Sequence, residues 1–298
     1  MNYISITNLT KDYGKGKGVF NINLDVKKGE VYGFVGINGA GKTTTIRHLM
    51  GFIRQKSGSV LINNLDAYKS SAELKRYMAY VPGEINFPGD IKASDFLRNQ
   101  VELSENGSWK DAETLISLLQ LDTSVNVRAM SKGMKQKTAI VAAFASNAEL
   151  IVMDEPTTGL DPLMRDIFLD LVREQKHKGK TIFMSSHIYQ ELEEVCDRTA
   201  VIKDGRIIDV VNMNEIRYNK NKVFRIEFKT QDDFDAFLKL DYDIFQIKQD
   251  DLQIFIQIHD SNINTLVKSL SHYDLVYFKE IKHTFENYVT DIFKESKI

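Results

Sequence analysis

Short apolar runs separate helical patterns along much of the chain. Residues 31–35, 150–153 and 181–184 are apolar runs bounded by polar residues, which is typical of strands that are buried on both faces. Residues 3–9 and 19–26 instead alternate apolar and polar positions, as half-buried strands do. Strands of both kinds, interleaved with helices, predict an α/β fold with a mixed sheet.

The pattern becomes mostly helical over residues 91–147, which we predict to form a helical subdomain. Phe96 and Val101 belong to one amphipathic stretch, and Leu115 and Leu119 belong to another. This region therefore inserts a helical piece between two strands of the predicted sheet.

Regular periodicity is lost at residues 218–222, where polar and charged residues follow one another. We therefore predict two domains, 1–215 and 222–298. In the second, the order strand–helix–strand–strand–helix–strand predicts a small α+β ferredoxin-like domain, followed by a last helix. From Ile216 onward 12 Lys or Arg stand against 14 Asp or Glu, so this domain is not a basic RNA-binding sheet. Its simplest interpretation is an appendage that supports a dimer or regulates the first domain.

Composition narrows the class of protein. The 298 residues are 43% hydrophobic and 27% charged, which is ordinary for a globular domain. A net charge of −2 argues against a general attraction to nucleic acid, and we expect no nucleic-acid partner.

Cys196 is the single cysteine, which excludes an internal disulfide. We expect no signal peptide, and no apolar run approaches the ~20 residues of a membrane span. Any membrane part is therefore expected in another chain.

The residues most informative about chemistry follow the apolar run 31–35. Residues 36–43 are Gly-Ile-Asn-Gly-Ala-Gly-Lys-Thr, the P-loop pattern G-x-x-x-x-G-K-[ST] between a strand and a helix. Its glycines let backbone N–H groups converge on phosphate oxygens, and the helix N-terminus adds a positive field. Lys42 can reach the β- and γ-phosphates, and the Thr43 hydroxyl can ligate Mg²⁺. The chain is therefore predicted to bind a nucleoside triphosphate.

Acidic residues and a histidine follow two other buried strands. Asp154 and Glu155 follow residues 150–153, and His187 follows the run 181–184. Ligands of open α/β sheets bind at the carboxyl ends of strands, so we expect these side chains near the P-loop. Asp154 can supply a carboxylate on the Mg²⁺ side, and Glu155 can act as general base toward the attacking water. Spacing alone leaves two interpretations of His187, a γ-phosphate contact or a structural role.

Several motifs together resemble the ATPase subunits of ABC transporters over about residues 3–211. They fall in the order of that family, and they are the P-loop, Ser131-Lys132-Gly133-Met134, Val152-Met153-Asp154-Glu155-Pro156, Gly159-Leu160-Asp161 and Ser186-His187. The resemblance implies the ABC ATPase form of the P-loop NTPase fold, with ATP and Mg²⁺ as cofactors. It also implies that ATP hydrolysis is coupled to transport across a membrane.

The resemblance assigns roles to individual residues. Tyr13, which by itself suggests strand-end packing, resembles the aromatic residue that stacks on adenine. Asp154 and Glu155 resemble the Walker B carboxylate and the catalytic base, and His187 resembles the switch histidine. Asp161 resembles the loop aspartate at the dimer interface. The implied catalytic residues are Glu155, His187 and Lys42, the implied metal ligands are Thr43 and Asp154, and the implied nucleotide-binding residues are Tyr13, Gly36, Asn38, Gly39, Ala40, Gly41, Lys42, Thr43, Thr44, Ser131, Gly133 and Asp161.

Two departures from the family pattern affect these roles. The usual signature Leu-Ser-Gly-Gly-Gln is replaced by residues 130–134, Met-Ser-Lys-Gly-Met. Ser131 and Gly133 are kept, so recognition of the γ-phosphate is expected to survive, and Ser131 is also a predicted helix N-cap. Gly83 stands where the family has a Gln that ligates Mg²⁺. Glu84 or a water molecule are the two alternatives for that position.

The resemblance also implies partners. The signature of one subunit closes over ATP held by another, which implies a head-to-tail dimer, either a homodimer or a heterodimer. It further implies a separate transmembrane permease, docked around residues 84–95, and a location at the cytoplasmic face of the membrane. The Ser-Lys-Gly-Met-Lys-Gln-Lys signature and the C-terminal domain resemble ATPases of ABC-2-type exporters, such as bacitracin-type resistance, lantibiotic immunity and amphipathic-peptide export systems. This narrower resemblance implies that peptides, antibiotics or other amphipathic compounds leave the cell.

Two alternative functions can be weighed against the exporter. A soluble ABC-type ATPase acting on ribosomes or DNA is expected to have two ATPase halves in one chain, a long coiled coil or a zinc insertion, and the sequence has none of these. A P-loop kinase leaves the Ser131 signature and Asp161 without a role. The exporter ATPase is therefore the function that we predict.

Overall fold

The computed structural model of this protein describes residues 2–295 and divides the chain into two units, Met1–Met213 and Asn214–Ile298. The domain bounds predicted from the sequence, 1–215 and 222–298, stay predictions beside this division. Their outermost parts, Met1 and residues 296–298, lie outside the described residues.

The first unit alternates strands and helices. Its strands are β1 (Asn2–Gly14), β2 (Lys17–Lys27), β3 (Val31–Val35), β4 (Ser57–Ile62), β5 (Leu65–Asp66), β6 (Met78–Val81), β7 (Leu150–Asp154), β8 (Thr181–Ser186), β9 (Arg198–Lys203) and β10 (Arg206–Asn212). Its helices are α1 (Lys42–Leu49), α2 (Ser71–Leu74), α3 (Ala93–Leu103), α4 (Trp109–Leu118), α5 (Lys132–Ala145), α6 (Pro162–His177) and α7 (Tyr189–Val195). A short helix, α8 (Met213–Arg217), follows at the junction of the units.

A six-stranded sheet in the order β10-β9-β3-β8-β7-β6 forms the centre of this unit. Its strands pair in parallel, except that β10 runs antiparallel to β9. Strands β3, β7 and β8 are buried throughout, as their apolar runs predict. The carboxyl ends of β3, β8, β7 and β6 therefore lie along one edge of the sheet. The predicted α/β fold class with a mixed sheet is confirmed.

A second, antiparallel sheet in the order β2-β1-β4-β5 supplies much of the core. Ile4 and Ile22 from this sheet belong to one buried cluster with Phe34, Phe183 and Ile202 of the central sheet. Full burial of such side chains stabilises the fold by about 1.5–3 kcal/mol each. This packing supports the carboxyl end of β3, where the P-loop begins.

Helices α3, α4 and α5 lie in the chain between β6 and β7, within the predicted helical subdomain. The guanidinium of Arg98 on α3 lies 4.1 Å from the centre of the Trp109 ring at the start of α4, a cation–π contact. Helix α5 begins after Ser131, whose Oγ accepts a hydrogen bond from the Met134 N–H at 3.2 Å. The predicted N-cap at Ser131 is confirmed.

The second unit contains one four-stranded sheet. Its elements are β11 (Asn221–Phe228), α9 (Gln231–Phe237), β12 (Asp243–Lys248), β13 (Gln253–His259), α10 (Ile263–Leu270), β14 (Leu275–Ile281) and α11 (Phe285–Glu295). The strand order is β12-β13-β11-β14, with every pair antiparallel. Phe228 and Ile254 of the sheet form a core with Phe237 of α9 and Leu266 of α10. This is the ferredoxin-like arrangement that the element order predicts.

The helices of the described part of the chain are too short or too polar to cross a bilayer.

Candidate nucleotide-binding site

The P-loop connects the carboxyl end of β3 to the first turn of α1. Gly36 packs so closely on the backbone of β9 that a Cβ there would lie 2.4 Å from the Ile202 carbonyl oxygen. Gly41 has a φ of 112°, in the region that L side chains rarely adopt. The Lys42 side chain is almost fully buried, and its Nζ donates to the Gly36 carbonyl at 2.6 Å. The P-loop therefore folds around the buried side chain of Lys42.

Two adjoining cavities open beside this loop. The first has a volume of about 420 Å³ and is lined by P-loop residues together with Tyr13 and Glu155; the P-loop residues are Asn38, Gly39, Gly41, Lys42, Thr43 and Thr44. The second, of about 600 Å³, shares Asn38, Thr43 and Glu155 with the first and adds Asp154 and His187. Gly36 and Ala40 are the two further P-loop residues predicted to bind nucleotide. Both are buried, and they support the backbone of the loop. The predicted P-loop, Walker B and switch residues thus surround one continuous cleft.

Tyr13 lies near the end of β1 and is 55% exposed. Its ring lines the first cavity, and the Lys11 ammonium lies 5.8 Å from the ring centre. An exposed aromatic ring beside a cavity lined by the P-loop is able to stack on a base. Stacking on adenine and strand-end packing stay the two interpretations of Tyr13.

Asp154 holds its carboxylate between two hydroxyl groups. Thr43 Oγ1 donates to Asp154 Oδ2 at 2.7 Å, and Ser185 Oγ donates to Asp154 Oδ1 at 2.6 Å. Asp154 is 2% exposed. A hydroxyl and a carboxylate side by side are the hard oxygen donors that Mg²⁺ prefers. These residues therefore fit the metal that the sequence predicts, with Thr43 and Asp154 as its protein ligands.

Glu155 connects Lys42 to His187. Its Oε1 lies 3.1 Å from Lys42 Nζ, while its Oε2 accepts a hydrogen bond from the His187 N–H at 3.2 Å and contacts His187 Nδ1. The backbone of Glu155 has a φ of 51°, which is uncommon for a residue with a side chain. The structure thus brings together the three residues predicted to be catalytic.

The loop after β6 borders the second cavity. A Cβ at Gly83 would lie 3.2 Å from the Asp154 carbonyl oxygen and 3.5 Å from Asp154 Oδ2, so the position of the missing Gln adjoins Asp154. Glu84 lines the same cavity as Thr43 and Asp154. Tyr80, at the end of β6, also lines it; burial and the charge of Asp154 raise the pKa of Tyr80 to about 12, so its hydroxyl stays protonated.

Three residues predicted to bind nucleotide, Ser131, Gly133 and Asp161, are placed differently from the P-loop, whereas Lys132 of the signature lines the second cavity. Within the described residues, Ser131, Gly133 and Asp161 line neither of the two cavities. A Cβ at Gly133 would lie 2.7 Å from the Gly159 carbonyl oxygen, which explains the need for glycine. Asp161 Oδ1 accepts from the Met164 N–H at 2.9 Å and caps α6. Ser131 thus caps the N-terminus of α5 without lining either cavity itself.

Two residues near the site were given no role by the sequence. Ser185 contacts Asp154 as described above. Glu191 is 1% exposed; its Oε2 accepts from Ser186 Oγ at 2.9 Å, and its Oε1 lies 3.3 Å from Arg165 Nε. Burial raises the pKa of Glu191. The available signal was their position, since both lie within four residues of His187, Ser185 on β8 before it and Glu191 on α7 after it.

Comparison with known proteins gives consistent matches. The family model described as ABC transporter matches residues 19–158. The bacitracin transport ATP-binding protein BcrA of Bacillus licheniformis is 32% identical over 255 residues, which are 83% of this chain and 82% of that protein. The linearmycin resistance ATP-binding protein LnrL of Bacillus subtilis is 33% identical over 208 residues, 68% of this chain and 67% of that protein.

A solved structure described as the ATP-binding subunit of an ABC transporter is also similar. Its TM-score is 0.66 and its identity 31%, over 73% of this chain and 92% of that chain. The similarity in sequence and the similarity in fold therefore point to the same group of proteins.

Proposed function

Since this chain belongs to the ABC transporter family and is one of its ATPases, we propose that it powers a membrane exporter. The observation that carries the proposal is its similarity to a bacitracin transport protein and to a linearmycin resistance protein, over two thirds or more of each. By this similarity the exported compounds are peptides, antibiotics or other amphipathic molecules. The working location is then the cytoplasmic face of the membrane.

Each residue of the cleft has a proposed part in ATP hydrolysis. Tyr13 stacks on adenine, while Lys42 and the P-loop N–H groups bind the phosphates. Thr43 and Asp154 hold Mg²⁺, which neutralises the charge of the β- and γ-phosphates when it is bound. Glu155 lies near enough to His187 and Lys42 for the three to act on one phosphate.

The hydrolytic step needs a base and an aligned water. The water oxygen bonds to the γ-phosphorus while the bond to the bridging oxygen breaks, and ADP leaves with that oxygen. Glu155 accepts the proton of the water. His187 holds the Glu155 carboxylate through its backbone N–H and its ring Nδ1, and in this proposal its other ring nitrogen contacts the γ-phosphate.

The working unit in this proposal is a dimer. Ser131 at the N-terminus of the 14-residue helix α5 and the nearby Gly133 form a second phosphate-binding device. Neither residue lines a cavity beside its own P-loop, although Lys132 between them lines the second, and in this proposal they close over ATP held by a second ATPase subunit, identical or homologous. Asp161 lies at that interface, and a permease subunit docks around residues 84–95.

The proposal is tested by identifying what the full chain binds in cells. A tagged chain is purified from detergent-solubilised membranes with ATP and Mg²⁺, and copurifying molecules are identified by mass spectrometry. Copurification of a polytopic membrane protein supports the exporter ATPase. Copurification of ribosomes or DNA instead would overturn it and support the soluble ABC-type ATPase.

The direction and cargo are tested by growth. Cells lacking the protein are complemented with the wild-type chain or with Glu155→Gln, and both strains are exposed to bacitracin, to linearmycin and to other amphipathic antibiotics. Resistance that depends on Glu155 supports export of that compound class. Equal sensitivity of both strains to every compound would contradict the proposed cargo.

A further inference from the structure

Ser185 is the penultimate residue of β8 and is fully buried, with 0% of its surface exposed. In the sheet, β8 lies between β3 and β7, and Ser185 is directly paired with Asp154. A buried hydroxyl must find hydrogen-bond partners, because an unpaired one is destabilising. The hydrogen-bond partners of the Ser185 hydroxyl therefore indicate which groups this residue positions.

The Ser185 hydroxyl is shared between two consecutive residues. It donates to Asp154 Oδ1 at 2.6 Å and accepts from the Glu155 N–H at 3.1 Å. Because Oδ1 is occupied by Ser185, the other carboxylate oxygen of Asp154 is the one that meets Thr43 Oγ1, at 2.7 Å. The rotation of the Asp154 carboxylate is thus fixed from the side opposite the cleft.

The same residue holds the turn at Glu155. The Glu155 N–H is bound by both the carbonyl oxygen and the hydroxyl of Ser185, each at 3.1 Å. Glu155 has a φ of 51°, a conformation that a non-glycine residue keeps only when its surroundings fix it. That turn directs the Glu155 side chain to Lys42, at 3.1 Å, and to His187.

We propose that Ser185 is a positioning residue of the ATPase site, acting through Asp154 on the metal and through the Glu155 turn on the base. It does not touch nucleotide. The inference rests on the proposed roles of Asp154 and Glu155. Hydrogen-bond partners of metal ligands usually change metal affinity or activity by about 10–100-fold when they are removed. Loss of the Ser185 hydroxyl is expected to fall in that range.

The experiment compares Ser185→Ala with Ser185→Thr, which keeps the hydroxyl. Affinity for Mn²⁺ in the presence of ATP is measured by electron paramagnetic resonance, ATP affinity is measured without metal, and phosphate release is measured against Mg²⁺ concentration. We expect Ser185→Ala to weaken Mn²⁺ binding and to raise the Mg²⁺ requirement about 10-fold or more. Its ATP affinity without metal should stay within about 2-fold of wild type, and Ser185→Thr should restore metal binding.

The matched control is Ser186→Ala, the next residue of the same strand. Ser186 is 1% exposed and its hydroxyl bonds Glu191 at 2.9 Å, with no bond to Asp154 or Glu155 among the described contacts. Ser186→Ala therefore removes a buried hydroxyl that makes no direct contact with the two acids. If Ser185→Ala fails to fold, Ser185→Cys, nearly isosteric with a weaker donor, should change metal affinity in the same direction.

Two outcomes would overturn the inference. Unchanged metal affinity and Mg²⁺ requirement in Ser185→Ala, with a lower melting temperature alone, would make Ser185 purely structural. A metal defect of equal size in Ser186→Ala would show a general effect of the strand. Asp154→Asn is measured alongside: if it too leaves metal binding unchanged, the proposed metal ligand is wrong, and Ser185 loses its role with it. A defect in Asp154→Asn but not in Ser185→Ala overturns the Ser185 inference alone.

Discussion

The ammonium of Lys42 lies 3.1 Å from Oε1 of Glu155, and the two side chains are 6% and 19% exposed. The cation predicted to bind the phosphates is therefore paired with the carboxylate predicted to activate water. A triphosphate that enters the cleft competes with Glu155 for Lys42. Binding of ATP to Lys42 would then release Glu155, the predicted base, from its ion pair with Lys42.

The first prediction concerns this exchange. Glu155→Gln keeps the shape of the side chain but removes its charge and its ability to take a proton. We expect ATP hydrolysis to fall by about 10²–10⁴-fold. ATP affinity should be maintained or increased, because a neutral amide competes less with phosphate for Lys42. Phosphate release and equilibrium binding of a fluorescent ATP analogue measure the two effects. Hydrolysis at the wild-type rate would show that Glu155 is not the base.

The second prediction concerns the exposed ring of Tyr13. Stacking of a base on an aromatic ring contributes about 1–3 kcal/mol, so Tyr13→Ala should weaken ATP binding by about 5- to 150-fold. Tyr13→Phe should bind normally. Inorganic tripolyphosphate, which has no base, serves as the control ligand and should bind both variants equally. An equal loss of tripolyphosphate affinity would place the defect in the P-loop instead.

The third prediction separates two roles of Ser131. As an N-cap it stabilises α5, and Ser131→Ala should lower the free energy of unfolding by about 1 kcal/mol. As a proposed phosphate contact in the dimer, its loss should also reduce dimer formation with ATP, which light scattering measures in the Glu155→Gln background.

Ser108→Ala is the matched control for Ser131. Ser108 Oγ caps α4 by accepting from the Asp111 N–H at 3.2 Å, the same distance as in the Ser131 cap. We expect the same loss of stability with normal ATP-dependent association. Equal dimerisation of the two variants would exclude Ser131 from the interface.

The fourth prediction concerns pH. His48 on α1 is 2% exposed, and its ring Nδ1 bonds the Thr44 carbonyl at 2.8 Å. Burial lowers the pKa of His48 below its ordinary value of 6.5. Below pH 6.5 the unfolded chain therefore binds a proton that the folded chain does not, and the free energy of unfolding falls as the pH falls.

His48→Gln is neutral at every pH and removes this dependence. Its free energy of unfolding should fall less than that of the wild type as the pH falls below about 6.5, by at most about 1.4 kcal/mol per pH unit, the value for one proton. Urea denaturation at a series of pH values measures the difference. Parallel pH profiles for the two proteins would contradict the assignment.

Local patterns in the sequence were sufficient to predict the buried strands and to identify the residues of the candidate nucleotide-binding cleft. The apolar runs of β3, β7 and β8 predicted buried strands. Asp-Gly is also a strong local signal for a two-residue hairpin turn, and Asp204-Gly205 connects β9 to β10 with a positive φ at both residues. The P-loop spacing indicated the group of residues that lines the first cavity. Each of these signals acts over a few neighbouring residues, so periodicity and turn chemistry are enough to find it.

The contacts that position the side chains of the cleft join residues that are far apart in the sequence. No local sequence pattern spans such separations. Thr43 and Asp154 are 111 residues apart, and Asp154 and Ser185 are 31 apart. The Asp154–Ser185 bond exists because β7 and β8 pair in one particular register, and a shift by one residue would turn Ser185 to the other face. The Thr43–Asp154 bond needs β3, which leads to α1, and β7 to lie on either side of β8 in the same sheet. The same packing fixes the positive φ of Glu155 and its pair with Lys42. The sequence thus determined which chemical groups this ATPase has, and the tertiary structure decided which of them hold one another in place.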